Sequence, residues 1–208
     1  SPWGPGWPGW HTECVVMARD LLGDAFDLHG GGQDLAFPHH ENERAQAAAA
    51  GAPFASTWVH NGFVEVGGEK MSKSLGNFTN LLDLIEEHDP RAYRMLVLQS
   101  HYRSPIDVDA TSVANAEAAL GRLDALGRRV RPNLADLPPA DPDTIAAFVA
   151  AMDDDLDTPA AMALVFTTVT RVNSLLDGDD VAAARPLVAA LLSILGALGL
   201  DLATDDEV

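Results

Sequence analysis

From residue 111 to residue 199, apolar side chains recur every three or four positions in four stretches, 111–130, 142–152, 159–176 and 180–199. That spacing gives each stretch one apolar face as a helix and none as a strand, so the region is expected to be an all-α helical bundle. Asp141 before Pro142 and Thr158 before Pro159 each pair a capping side chain with a ring that fits the first helical turn. Both pairs predict helix starts. A loop at 131–140, carrying three prolines, separates the first helix from the rest.

Upstream the pattern is different. Residues 1–10 are Trp, Gly and Pro with one Ser, which excludes regular structure. A helix is predicted over Thr12–Leu22, ending at Gly23. Asp27-Leu28-His29 reads as a short buried strand running into Gly30-Gly31-Gly32, where backbone can approach a ligand closely. Pro38 suits the first turn of a helix continuing through Glu43 to the alanines at 47–50. Short strands are expected at Thr57–His60 and Phe63–Val66, then a loop over Lys70–Asn77. Helices are expected at Asn80–Glu87 and Pro90–Leu98. The expected class is α/β followed by an all-α helical bundle, divided as 1–78, a connecting region 79–110, and 111–208.

The charge is lopsided: 31 acidic residues against 13 Lys and Arg give a formal net charge of −18. Both the first 110 residues and the remainder are acidic, so a polyanionic partner would have to be met by local basic clusters. The chain has two lysines, Lys70 and Lys73, three apart in one segment. No apolar run reaches the roughly 20 residues of a membrane span, and residues 1–10 lack the pattern of a signal peptide. The single Cys14 cannot form an internal disulfide. A cytoplasmic protein with no membrane partner is expected.

Two groups of residues carry chemistry. Cys14, His39 and Glu43 are types that bind metals, and His39 and Glu43, four apart on a predicted helix, project from one face. Thiolate, imidazole and carboxylate make a borderline-soft set suited to zinc. The competing reading is a buried free cysteine beside a solvated His/Glu helix face. His40, three residues before Glu43, competes with His39. The second group is Lys70-Met71-Ser72-Lys73-Ser74. Two cations and two hydroxyls in a mobile loop can grip a triphosphate and stabilise the charge that develops on pyrophosphate.

The string Lys70-Met71-Ser72-Lys73-Ser74 resembles the second signature of class I aminoacyl-tRNA synthetases. Around it, Ser1-Pro2-Trp3-Gly4, Gly9-Trp10-His11-Thr12-Glu13-Cys14, His29-Gly30-Gly31-Gly32-Gln33-Asp34-Leu35 and Phe37-Pro38-His39-His40-Glu41-Asn42-Glu43 follow the cysteinyl-tRNA synthetase pattern in order. So do His60-Asn61-Gly62-Phe63, His101-Tyr102-Arg103-Ser104-Pro105 and Ala151-Met152-Asp153-Asp154-Asp155. The resemblance covers residues 1 to about 176, and the last helix fits the same helical domain. It implies that residues 1–78 are the second half of a Rossmann-like catalytic domain.

The resemblance further implies one zinc ion per chain, held by Cys14, His39 (rather than His40), Glu43 and a cysteine from an N-terminal half, and bound in turn by the substrate thiolate. Trp10 would line the amino-acid pocket. Gly31 and Asp34 would approach ATP, Lys70 and Lys73 would be catalytic, and Lys73 would also bind ATP. The implied substrates and partners are cysteine, ATP with Mg2+, and tRNA(Cys), handled by a full-length monomer. The family's His-x-Gly-His turn, its fourth zinc ligand and its anticodon-reading domain have no counterpart here, and Trp7 stands where the family has Arg or Lys. A C-terminal-half fragment, inactive alone, is expected.

Two alternatives remain at this level. The mycothiol-pathway cysteine ligase shares these motifs, although Asn42-Glu43, Asn61-Gly62-Phe63 and Leu75 favour the tRNA enzyme. A non-catalytic zinc- or RNA-binding remnant is the other, against which the intact lysine pair weighs.

Overall fold

The structure is a computed structural model that describes residue 2, residues 4–71 and residues 81–202. The chain divides into two compact units, residues 1–63 with 102–105, and residues 64–101 with 106–208.

The first unit is a βαβ arrangement with a helix ahead of it. Helix α1 spans Trp10–Leu22, two residues earlier than the sequence suggested, and strand β1 spans Phe26–Gly32. A 3-10 turn at Gln33–Leu35 leads to a helical segment at Ala36–His40, in which Phe37 is extended (φ −139°, ψ 135°) and the Phe37–Pro38 bond is cis. Helix α2 follows at Glu41–Ala49, and strand β2 at Ala55–Asn61 runs parallel to β1, with Gly31 opposite His60. The crossover helix between parallel strands is what makes this an α/β unit.

Strand β1 is not the buried strand its composition suggests. Leu28 is 58% exposed and Asp27 is also exposed. An apolar residue in a strand is buried only if another layer covers its face, and among the described residues none covers Leu28. The register of β2 is pinned at its end by a close approach of backbone. Gly62 donates its N–H to the Tyr102 carbonyl at 2.7 Å, and a Cβ there would overlap the Ser104 carbonyl.

The second unit begins with a small sheet, β3 (Val64–Val66), β4 (Glu69–Lys70) and β5 (Ile106–Asp107), in the order β4-β3-β5. Lys70 is therefore a strand residue rather than part of a mobile loop: Glu65 pairs with Lys70, and the Met71 N–H donates to the Val64 carbonyl at 2.9 Å. The two-residue turn Gly67-Gly68 puts a strand here, because both glycines adopt positive φ and donate to the Asp107 carboxylate.

Among the described residues six α-helices complete the unit: α3 (Leu81–Glu87), α4 (Pro90–Leu98), α5 (Ala110–Val130), α6 (Pro142–Asp153), α7 (Thr158–Asp177) and α8 (Val181–Ala197). Aspartates cap five of them. Asp109 makes a reciprocal capping box with Ser112, and Asp89, Asp141, Asp157 and Asp180 each accept a backbone N–H of the first turn. The cap of α7 is Asp157, not Thr158. Thr158 is the first helical residue, and its hydroxyl turns away to the Ser100 carbonyl at 3.4 Å.

Leu123, Val165, Val172, Leu191, Ile194 and Leu195 are almost wholly buried in one apolar core, which α4 joins through Met95 and Leu96. Burial of each such leucine or isoleucine is worth about 1.5–3 kcal/mol. Helix α7 is long and apolar enough to cross a membrane on length and composition alone, contrary to the expectation that no run is. Here its Ala161, Met162, Val165, Val169 and Val172 are buried in that core. Arg91, at the start of α4, is held by Asp89 and Asp124 and donates to the Asp201 carbonyl, tying α4, α5 and the chain beyond α8 together.

Candidate metal centre

Cys14 sits one helical turn after Trp10 on α1, so both side chains project from the same face. The helix is seated by Val15, which is buried. His39 and Glu43 lie one turn apart across the junction of the Ala36–His40 segment with α2, and they are 4% and 0% exposed. The solvated-face alternative for His39 and Glu43 is thereby overturned. The ligand atoms of Cys14, His39 and Glu43 all lie within 4.8 Å of one another, although 29 residues separate the first from the last.

The Glu43 carboxylate is the centre of this group. His39 Nε2 stands 2.5 Å from Oε1 and His29 Nε2 stands 2.8 Å from Oε2. Both are ion-pair distances, yet neither oxygen accepts an aligned hydrogen bond. A fully buried carboxylate without hydrogen bonds is costly unless a cation compensates it. That orphaned charge, with a thiol and an imidazole beside it, fits a divalent metal of zinc's preferences. Without a metal, burial first, then the carboxylates of Glu43 and Glu13, push the Cys14 thiol above its ordinary pKa, while a hydrogen bond with Trp10 pulls the other way. A bound cation reverses that, because coordination favours the thiolate.

Other histidines surround the group. His39 Nδ1 meets His11 Nδ1 at 2.6 Å, and His40 Nδ1 meets His60 Nε2 at 2.8 Å. One ring of each pair must donate and the other accept. Burial, then the neighbouring His29, His60 and His39, pull His40 down to a pKa of about 4. Its ring packs over Gly31, where a Cβ would come within 2.9 Å of His40 Cε1. His11 and His60 have no role on the sequence alone, and His29 has one only as the first residue of the 29–34 glycine segment that the resemblance brings toward the adenylate. The signal was positional: His60 lies toward the end of a parallel strand, and His29 sits in the middle of one, immediately before the glycines.

Trp10 is 59% exposed, with its ring centroid 4.1 Å from that of His39, so one face of the indole is open beside the group. Gly31 lies beneath His40, and Asp34 is exposed on the 3-10 turn. Lys70 is exposed on β4, in the second unit. Lys73, with Ser72 and Ser74, lies outside the described residues.

Residues 1–118 match the family profile described as tRNA synthetases class I (C) catalytic domain, more than half of the chain. The chain belongs to that family. Residues 147–203 match a DALR domain, which spans α7 and α8. The chain is 51% identical over 202 residues to a cysteine–tRNA ligase of Alkalilimnicola ehrlichii, covering 96% of this chain and 43% of that protein. It is 50% identical over 200 residues to one of Kocuria rhizophila, covering 96% and 42%. This synthetase chain thus spans less than half the length of these curated relatives. Among solved structures, a LeuRS of Agrobacterium radiobacter, in ternary complex with tRNA and LeuAMS, superposes with a TM-score of 0.67 at 21% identity. That alignment covers 83% of this chain and 26% of that one, and bears on the fold alone.

Proposed function

We propose that this chain carries the cysteine-selecting and pyrophosphate-releasing parts of a cysteine–tRNA ligase. The observation that supports the reading most is the convergence of half-buried Cys14 with buried His39 and Glu43, three donor types that suit zinc. The relatives named above bear that enzyme's name.

Cys14, His39 and Glu43 would hold the zinc, with His29 and His11 orienting Glu43 and His39 from behind. When bound, the metal supplies a soft site that prefers a thiolate to a hydroxyl, and so separates cysteine from serine where apolar contacts separate them only weakly. Trp10 would close one side of the amino-acid pocket. Gly31 and Asp34 would approach the nucleotide of ATP–Mg. A carboxylate oxygen of cysteine attacks the α-phosphorus, the bond to the bridging oxygen breaks, and pyrophosphate leaves with the adenylate formed. Lys70 and Lys73 would offset the charge that grows on the leaving group. A ribose hydroxyl of the terminal adenosine of tRNA(Cys) then attacks the acyl carbon, and AMP leaves.

The test is cysteine-dependent ATP–pyrophosphate exchange by a full-length enzyme containing this chain. Lys73→Ala is expected to lower the rate at saturating cysteine about 100-fold or more, roughly 3 kcal/mol. Cys14→Ala is expected to raise the cysteine concentration required and to erode the preference over serine. Exchange that is independent of cysteine, or unchanged in both variants, would refute the proposal.

A further inference from the structure

Strand β4 is two residues long, Glu69 and Lys70, and it lies at the edge of its sheet, paired with β3. Glu65 stands opposite Lys70 and Val66 opposite Glu69. A hairpin this short has little of its own to hold it in place. Register matters at Lys70, because a slip of one residue turns every side chain of a strand to the other face.

A clamp reaches the hairpin from β5, 40 residues beyond Gly67. The Asp107 carboxylate accepts the Gly67 N–H at Oδ1 (3.0 Å) and the Gly68 N–H at Oδ2 (3.1 Å). Hydrogen bonds to an ionised acceptor are stronger than those between neutral groups. Both glycines have positive φ, 63° and 78°, the conformation that a two-residue hairpin turn requires. Asp107 itself stands on a firm mount. Val108, the next residue, is 5% exposed in the core of the bundle, and its N–H donates to the Glu65 carbonyl at 2.9 Å. One residue further on, Asp109 starts α5 with its capping box.

A carboxylate at this place carries a cost. Asp107 is in register with Glu65 on the adjoining strand, and like charges so placed repel. The two glycine N–H groups offset that repulsion. We propose that Asp107 is a positioning residue, whose carboxylate fixes the register of the hairpin and so the face on which Lys70 stands. The proposal rests on the reading above, in which Lys70 offsets charge on the departing pyrophosphate. Asp107 acts through Lys70 and not on the substrates.

Cysteine-dependent ATP–pyrophosphate exchange by a full-length enzyme containing this chain tests this, with amide hydrogen exchange at Gly67 and Gly68 followed on the same protein. Asp107→Ala is expected to remove protection of both amides and to lower kcat about 10- to 100-fold. The KM for cysteine should not change, because the Cys14, His39 and Glu43 group belongs to the other unit. In a Lys70→Ala background, Asp107→Ala should cost less than about twofold more, since nothing is left for it to position. A merely structural aspartate would lower the rate equally in both backgrounds, and that result would overturn the proposal. So would an unaltered rate in Asp107→Ala, whether or not the glycine amides keep their protection. If Asp107→Ala does not fold, Asp107→Asn, which keeps one acceptor oxygen, carries the test. It should show a smaller loss that again disappears in the Lys70→Ala background, and no loss at all would count against Asp107. An active enzyme in which Lys70→Ala alone changes nothing would refute the role given to Lys70, and this proposal with it. A loss in Lys70→Ala with none in Asp107→Ala would sink the part of Asp107 alone.

Discussion

The two units bury opposite kinds of side chain. Among the described residues of 1–63 the buried apolar side chains are Val15 and Ala47, and the buried polar ones are His39, His40 and Glu43. In the second unit the buried set is leucine, isoleucine, valine, methionine and alanine, with Asp124, Thr144 and Thr168 at its margins. A helical bundle that buries its own apolar stripes is held by area removed from water, which no ligand adjusts. A unit whose interior is imidazole and carboxylate is held by electrostatics that protons and cations do adjust. The stability of the first unit is therefore expected to follow pH and any cation bound beside Glu43, and that of the second is not.

The largest expected effect is in the bundle. Leu191 is 1% exposed, and Leu191→Ala is expected to cost about 2–5 kcal/mol of the second unit's stability. Denaturant unfolding followed by helical circular dichroism measures it, with cobalt binding by Cys14, His39 and Glu43 read on the same samples. If Leu191→Ala abolished metal binding under conditions where the bundle remains folded, the contrast between the units would fail.

Acid should act on the other unit. His40 has its pKa pulled from the usual 6.5 to about 4 in the folded chain. The unfolded chain therefore binds more protons between those values, and stability rises with pH there. The contribution of His40 is present above about pH 6.5 and is lost as the pH falls towards about 4. Hydrogen exchange of the metal-free chain is expected to show protection at Val15 and Ala47 decaying across that window. Protection at Leu191 and Ile194 should persist to lower pH. Uniform loss in both units would show that they do not respond separately.

The smallest effect concerns one cap. Asp157→Ala is expected to cost the bundle about 1 kcal/mol, because the N–H of Ala160 loses its acceptor. Thr158→Ala removes only a long bond to the Ser100 carbonyl and should cost less. A reversed order in thermal unfolding would mean that Thr158 is the effective cap after all.

Much of the site was legible because its parts are local. His39 and Glu43 lie four residues apart, so that pair was legible as one face of a helix; Trp10 shares a face with Cys14 only because α1 begins at Trp10, two residues before the sequence suggested. The helices of the bundle were legible for the same reason: a period of three to four residues is a property of the chain itself. The capping aspartate is plain at Asp141. At α7 the sequence points to Thr158, whereas Asp157 one residue earlier is the cap, because two adjacent residues can each cap.

What the sequence by itself determined is the identity of the helices, the pairing of His39 with Glu43 along the chain and the chemical type of the candidate donors. Tertiary structure alone decided what depends on distance through space. It brought Cys14 to within 4.8 Å of Glu43, turned His29 onto the second carboxylate oxygen and set His60 behind His40. It also left Leu28 exposed and drew Lys70 into a strand. Helical spacing is enforced by bonds between neighbours along the chain. The face a strand buries, or the oxygen a distant imidazole meets, is fixed only when separate segments pack and their registers lock.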